Sequence, residues 1–439
     1  KLQKAATINP KEERKFDFLS FLLYNIYIES ELIEMNYKIY ASILEEEART
    51  QIEKLASSPI GENAHIRIMP DAHAGKGCVI GTTMWVKDKV CPNLVGVDIG
   101  CGVSAFEVPS YNRFTKEELE ELLSWLEDGG VPSGRNVWER AEDIDEAANC
   151  LGIFYSWLGS DYIDQLYCKD KLQNIDYLKR STGTLGGGNH FISIEENSLG
   201  TQYLLVHSGS RNLGVQVAQY YQGLAEQTLT NEYNKERAKT IAYWKEKDPT
   251  QIEKVLSAIE KKPASGLEFV TSRAMEDYLH DMDICKLWAH QNRLAIATII
   301  MAHCSKAAIL AIDTPHNYID TYQDILRKGA VNASTGLNFL LPLNMRDGTL
   351  ICKGKGNEDW NYSAPHGAGR LMSRAQARAT LDFMDFQKSM EGIISNTRID
   401  TIDEAPFAYK DWEVIAEAIK PTAIILDHLH PIFNFKAQS

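Results

Sequence analysis

The chain lacks the patterns that usually settle a protein's class, and each absence narrows the field. Its eight cysteines (Cys78, Cys91, Cys101, Cys150, Cys168, Cys285, Cys304 and Cys352) form no C-x-x-C pair and no regular spacing. That excludes a zinc-finger framework and a disulfide-stapled secreted scaffold, and in a chain of 439 residues it points to free, mostly buried thiols in a reducing cytoplasm. No apolar run approaches the roughly 18–20 residues that span a bilayer, so no membrane location is expected. Positive charge is short: 46 Lys and Arg face 60 Asp and Glu, for a formal net charge of −14. This argues against indiscriminate adhesion to nucleic acid or anionic lipid, although a local basic groove stays open, because the distribution of charge steers a polyanion. There is no internal repeat, no low-complexity tract and no long Gly/Ser/Pro linker. What remains is an ordinary globular composition, 44% apolar with 29 Gly and 14 Pro, able to bury a large core.

The first methionine is Met35, and the residues before it lack the basic start and small-residue cleavage site of a secretory signal. Residues 1–34 are expected to be an N-terminal extension with no assigned role, and residues 35–439 one catalytic domain. Ile43, Leu44, Ala48, Ile52 and Leu55 recur at helical spacing and predict an amphipathic helix over 40–57. Short apolar strands broken by Gly, Pro and Asp follow over 64–108. Residues 112–180 read as mixed and mostly helical, with a loop at 129–133, and strands return at 189–206. Long helices are predicted over 214–247 and 272–311, the second carrying Leu279, Met282, Leu287, Leu294 and Met301 on one face. The remainder alternates loops and short strands, with helices near 374–392 and 411–419. Neighbouring strands without regular helical crossovers favour an α+β fold.

The densest chemistry is VGVDIGCGV, where Asp98 and Cys101 stand among Gly96, Gly100 and Gly102. The alternation of Val95, Val97 and Ile99 before them predicts that the pair is presented at the end of a strand. Core packing has no use for a carboxylate, and the glycines let the backbone approach something closely. A metal ion is the obvious something. Of only 11 histidines, four sit beside Gly, Asn or Ser: His190 in GTLGGGNHFISI, His207 in YLLVHSGSR, His316 in DTPHNYID after a helix, and His366 in SAPHGAGRLMSR. All four read as loop-borne. Any one alone is most simply a satisfied histidine, as His65, His280, His290, His303, His428 and His430 are expected to be; the set, beside Asp98 and Cys101, is not. One Asp, one Cys and three His suit two divalent ions sharing the thiolate. Imidazole and thiolate favour zinc and the carboxylate admits a harder ion such as manganese, so ligand chemistry leaves the metal open.

His366 differs from the other three. Arg370 and Arg374 follow it four apart, which predicts both guanidinia on one face of a helix start, suited to phosphate, and HSGSR adds Arg211. A histidine so placed can act as a nucleophile toward phosphorus; the plain alternative is a solvated helix start. Asp71, His73 and Lys76 in DAHAGKG read, by themselves, as a solvated turn. GGGNH is no dinucleotide loop, since no helix follows it.

Together DAHAGKG, GVDIGCGV, GTLGGGNHF, HSGSR, WAHQNR, HN, RKGA, HGAGR-MSR and EAPFAYKD resemble, in order and across residues 64–436, the RtcB family of RNA-splicing ligases. The resemblance implies a single α+β catalytic domain of stacked, mostly antiparallel sheets flanked by helices. It implies Asp98, Cys101, His190, His207 and His316 as ligands of two Mn²⁺ with Cys101 bridging, and His366 as the residue that attacks the α-phosphate of GTP and carries GMP. Asp71 would orient that imidazole, and Asn189, Arg211 and Arg370 would hold phosphates. Tyr409 would stack on guanine and Lys436 would contact its edge. The implied substrates are RNA with a 2′,3′-cyclic phosphate or 3′-phosphate end and RNA with a 5′-hydroxyl end, in RNA repair or tRNA splicing. A monomer is expected, and a protein cofactor is left open.

The chain departs from the family's pattern at three places. Ser193 stands where the family usually has a guanine-contacting Glu, with Glu195 two positions on; Asn344 and Thr349 replace the usual serines; Leu326 replaces a His. These leave nucleotide preference open and keep a second reading alive, a dinuclear-metal phosphoesterase or nucleotidyltransferase that does not join RNA. A non-catalytic RNA binder, the third, has no need of His366. Arg327, Lys328, Lys353, Lys355, Arg370, Arg374 and Arg378 are expected to form an RNA-facing rim, though a solvated surface accounts for them nearly as well.

Overall fold

The longest sheet in the molecule has eight strands, and its path runs Asn338–Asn344, Gly348–Gly354, Ala423–Lys436, Phe191–Glu196, Gln202–Ser208, Gly102–Val108 and Ile309–Pro315, with Ile394–Ser395 lying parallel to the long C-terminal strand. This computed structural model describes residues 36–75, 77–132, 137, 160–258 and 265–437. A second sheet of five strands has the order Tyr37–Ile39, Ile66–His73, Ile80–Trp85, Ile325–Lys328, Asn317–Asp320. The ribbon Ala330–Asn332 with Ser363–Pro365 touches strands of both sheets, and among the described residues all pairings are antiparallel except those of Tyr37–Ile39 and Ile394–Ser395. The α+β expectation holds. Residues 1–34, Lys76, Cys150 and most of the segment 133–159 lie outside the described residues.

Helix Ser272–His303 joins two cores. Tyr278, Met282, Cys285 and Trp288 on its first half pack in one apolar cluster with Ile52, Leu55, Ile66 and Tyr221. Ile296, Ala297, Ile300 and Met301 on its second half pack in another, with Leu119, Leu122, Leu204 and Phe433. Between the halves sit two fully buried polar residues, Asn292 and Arg293, and the apolar face is interrupted where the functional loops converge. Burying them is tolerable only because every arm is bonded. Arg293 donates to the carbonyls of Gly100 (3.0 Å) and Ser208 (3.1 Å) and pairs with Asp313 (2.8 Å). Asn292 accepts from the amides of Gly183 and Thr184 and donates to the Gly209 carbonyl (3.2 Å).

Local rules set the other helices. Glu46–Ala56 buries Ala48, Ile52 and Leu55 at helical spacing, and Lys116–Glu127 opens with a reciprocal Thr115–Glu118 capping box. Several sequence expectations need correction. The first helix starts at Glu46, leaving Ile43 exposed. The long helix ends at His303 and not at 311; Leu287 is exposed, because the buried face drifts around a helix this long. The helix near 374–392 is two, Arg374–Thr380 and Phe383–Ser389, the second capped by Asp382. Residues 423–436 form one 14-residue strand. Asp98 and Cys101 precede a strand and do not end one: Pro92–Val95 is a helical turn, and the strand begins at Gly102.

Candidate active site

Sheet register builds the first half of the site. Gly102 lies opposite Ser208 on one side and Pro315 on the other, so Cys101, His207 and His316 meet at the end of three adjacent strands. His316 follows a strand, not a helix, and its amide donates to the Cys101 carbonyl (2.8 Å); His207 is in a strand, not a loop. His190 enters from the start of the next strand, where Phe191 pairs with His207. Asp98 arrives on the turn whose carbonyl receives the Cys101 amide (3.2 Å). Gly209 lets it in: a Cβ there would stand 2.1 Å from Asp98 Oδ1.

The donor atoms face one another. Cys101 Sγ is 3.4 Å from His190 Nε2 and 3.3 Å from His207 Nε2, and His190 Nε2 is 3.1 Å from Asp98 Oδ2. The other ring nitrogens are committed: Nδ1 of His190 donates to the Leu185 carbonyl (2.8 Å) and Nδ1 of His207 to the Asn189 carbonyl (3.2 Å). The lone pairs on Nε2 therefore point inward, as in metal-binding imidazoles whose other ring nitrogen is held by a carbonyl. Two triads result, Cys101–His207–His316 and Asp98–Cys101–His190, with the ligand atoms of each within 4.8 Å of one another. Cys101 belongs to both.

Electrostatics agree with a cation there. Burial, together with the neighbouring imidazoles, holds His207 and His316 well below the ordinary histidine value, so both are neutral ligands. Burial raises Asp98, but the hydrogen bond and charge of His190 and the charge of Arg211 outweigh it, and the carboxyl titrates below its usual range. Burial and the Asp98 charge push the Cys101 thiol well above its ordinary value. A buried thiol next to a carboxylate and converging lone pairs is an unfavourable set unless a metal takes the place of the thiol proton. The residues fit the implied ions.

His366 stands against this cluster, its ring tilted on His316 with centroids 4.8 Å apart. Its Nδ1 donates to Asp71 Oδ2 at 2.7 Å, and its backbone amide reaches the same oxygen at 3.2 Å. Asp71 is fully buried, in a strand whose register slips between Ile68 and His73. It is no solvated turn residue. Lys410 donates to the carbonyls of Pro70 and Ala72 on either side of it, both at 3.0 Å. Gly369 closes the arrangement; a Cβ there would lie 2.2 Å from the Asp71 carbonyl oxygen, and its φ of +75° is the left-handed region.

A cavity of about 290 Å³ opens beside His366, His316 and His207. Asn189, Asn344, Thr349, Arg370, Tyr409 and Lys436, all singled out from sequence, line it together with Phe191, Glu195 and Arg374. An ion network forms one wall. Glu404 meets Lys436 (2.9 Å), Arg374 (2.5 Å) and Arg370 (3.5 Å), while Asp403 meets Arg374 (2.5 Å) and Arg378 (3.2 Å). Burial raises the Glu404 carboxyl, but Lys436 and Arg374 more than offset this and bring it to about 2. Tyr409 donates to Glu404 (2.7 Å) and takes the Arg370 guanidinium over its ring at 5.0 Å.

Not every expectation survives. Arg370 and Arg374 do not share a helix face: the helix begins at Arg374, capped by Ser373, and Arg370 lies before it, bridged to Tyr409. They converge through Glu404 instead. Arg211 is not among the residues lining the cavity; it bonds Thr184 Oγ1 (3.1 Å) behind the Asp98 turn. Arg327 and Lys328 are buried and cannot belong to a basic rim; Arg327 is bonded to Ser363, Asp320 and Gln323. Asn344 turns its amide to its own loop, accepting from the Arg346 and Asp347 amides. Sequence reasoning did not assign Glu195, Asp403, Glu404 or Lys410 to the site. Glu404 and Lys410 lie within EAPFAYKD, and Glu195 shares the strand face of Phe191 by period-two alternation.

Fold and site together describe a pocket with two candidate metal-binding triads on one thiol and an Asp-oriented imidazole above them. The comparisons with known proteins agree in class. A family model described as "tRNA-splicing ligase RtcB" matches residues 51–437. RNA-splicing ligase RtcB of Escherichia coli K12 is 30% identical over 402 residues, covering 85% of this chain and 90% of that protein. The tRNA-splicing ligases RtcB of Aeropyrum pernix and Nanoarchaeum equitans are each 25% identical, over 428 and 431 residues, covering 83% and 85% of this chain and 86% and 88% of theirs. The chain belongs to the RtcB family.

Proposed function

We propose that this protein is an RNA ligase that joins a 2′,3′-cyclic phosphate or 3′-phosphate RNA end to a 5′-hydroxyl end through a guanylate carried on His366. The observation that carries this reading is the His366–Asp71 pair, 2.7 Å apart, the carboxylate fully buried and the imidazole resting on His316. Because the Asp71 carboxylate accepts a hydrogen bond from Nδ1–H, Nε2 keeps its lone pair.

That lone pair attacks the α-phosphorus of GTP. The N–P bond forms as the α–β bridging P–O bond breaks, and pyrophosphate leaves. Asp71 holds the ring and balances the positive charge it gains. Arg370 and Arg374 offer cationic donors along the cavity wall to the phosphates, while Tyr409 offers an aromatic face to the base and Lys436 an ammonium to its edge. After water has opened any cyclic end, an oxygen of the RNA 3′-phosphate attacks the same phosphorus and the N–P bond breaks. The 5′-hydroxyl of the second strand then attacks the terminal RNA phosphorus, releasing its proton and GMP. Two Mn²⁺ held by Asp98, Cys101, His190, His207 and His316 would neutralise phosphate charge and polarise the attacking oxygens.

Among the described residues no helix is long and apolar enough to cross a membrane, and the free cysteines suit the reducing cytoplasm. Incubation with Mn²⁺ and α-labelled GTP tests the reading: wild type acquires an acid-labile label and His366→Ala acquires none. An unlabelled wild type overturns it. A ligation assay on 3′-phosphate and 5′-hydroxyl ends separates a ligase from a nucleotidyltransferase that stops at the first transfer.

A further inference from the structure

Lys410 is a buried cation that the chemistry above does not use. It is 5% exposed, and its Nζ donates to the carbonyls of Pro70 (3.0 Å), Ala72 (3.0 Å) and Ile43 (3.2 Å). Those are all the donors an ammonium has, and none goes to a carboxylate. A buried charge without a paired counter-charge is a costly way to satisfy carbonyls that a strand partner could satisfy. The neighbouring strand supplies no such partner. The register with Ile80–Trp85 slips between Ile68 and His73, so residues 69–72 lie outside the paired positions.

What the ammonium grips is the segment that aims Asp71. The Asp71 carboxyl is held by His366 alone: Oδ2 accepts from Nδ1 (2.7 Å) and from the His366 amide (3.2 Å), while Oδ1 is buried and has no hydrogen-bond partner. Apart from His366 itself, the direction of the carboxyl is therefore set by the backbone that carries it, and Lys410 holds that backbone on both sides. The Lys410 amide also donates to the Gly369 carbonyl (3.0 Å), three residues beyond His366. Gly369 packs so closely on Asp71 that a Cβ there would stand 2.2 Å from its carbonyl oxygen. One residue thus ties the Asp71 strand to the His366 loop. Burial lowers the pKa of the Lys410 ammonium, and the Asp71 charge is the largest influence opposing it.

We propose that Lys410 is a positioning residue for transfer to His366, fixing the Asp71 carboxylate on Nδ1 by holding the carbonyls on either side of it. The inference rests on the guanylate-transfer reading above. Its test measures label transfer from GTP by Mn²⁺-loaded wild type, Lys410→Met, Asp71→Ala and the double variant. Lys410→Met keeps the stem and removes the donors; it lowers kcat by about 10- to 100-fold, with KM for GTP and Mn²⁺ content nearly unchanged. In the Asp71→Ala background the same substitution costs less than about 2-fold, because the group it aims is gone. Losses that multiply in the double variant overturn the proposal, as does an unchanged kcat in Lys410→Met. Lys410→Gln, which keeps N–H donors on a shorter stem, goes through the same cycle, so a methionine variant that does not fold leaves the proposal exposed. A second measurement needs no turnover. The Nδ1 proton of His366 is read by NMR in protein loaded with Zn²⁺ in place of Mn²⁺, and is assigned by its loss in His366→Ala and Asp71→Ala. Hydrogen-bonded to a carboxylate it resonates far downfield, and it moves upfield or broadens in the Lys410 variants; an unmoved resonance overturns the proposal. If wild type takes no label, the transfer reading has failed, and this resonance still judges Lys410.

Discussion

The two ends of the cavity solve opposite electrostatic problems. At one end Asp98, Cys101, His190, His207 and His316 turn lone pairs toward a common centre, with no basic side chain among the facing donors. That donor set suits a cation. Along the other wall Asp403 and Glu404 stand against Arg370, Arg374, Arg378 and Lys436, so a network of ion pairs is already closed and carries excess positive charge. That end is complete by itself. The first should respond to metal supply and hardly to salt. The second is part of the fold, and breaking it should cost stability before it costs chemistry.

The largest expected effect tests the first end. Cys101 belongs to both triads, so Cys101→Ala should weaken Mn²⁺ binding by more than about 100-fold and remove both ions together, as read by metal analysis of protein dialysed against Mn²⁺ buffer. Two ions retained per chain would refute the shared thiolate. Next comes the wall. Glu404→Gln leaves a buried ammonium facing a neutral amide, and should lower unfolding free energy by about 3–5 kcal/mol in urea titrations while leaving Mn²⁺ content unchanged. Unchanged stability would mean the network is incidental to the fold and the contrast between the ends false.

The smallest effect separates Glu195 from that network. Burial raises its carboxyl from 4.5 to about 7. The folded state therefore holds a proton that the unfolded chain has released, and stability present below pH 4.5 is lost as pH rises through about 7. The loss amounts to roughly 3 kcal/mol at most. Glu195→Gln cannot titrate, so wild type should lose stability relative to it across that window. Parallel pH profiles for the two would show that the carboxyl is not buried as described.

The residues legible in the sequence were those whose chemistry conflicts with packing. Asp98, Cys101 and the four histidines stood out because small neighbours flank groups that a core would reject, and the structure brings all six together. Asp71 reads as solvated from its own motif, and only the family resemblance sets it beside His366; one strand buries it completely, which local polarity does not reveal. The spacing of Arg370 and Arg374 looked helical, but Ser373 caps the helix between them. Arg327 looked like surface charge until Ser363, Asp320 and Gln323 closed around it.

Sequence by itself determined the donor types, the family and the α+β class, because these depend on composition, period and motif order. Tertiary structure alone decided the pairing of those donors. Cys101, His207 and His316 are far apart along the chain, and only strand register sets them side by side. Register also brings the Thr349 hydroxyl to Glu195 and so fixes one carboxylate oxygen while leaving the other open. Such partners are chosen by backbone hydrogen bonds between distant strands, and no local pattern of side chains encodes them.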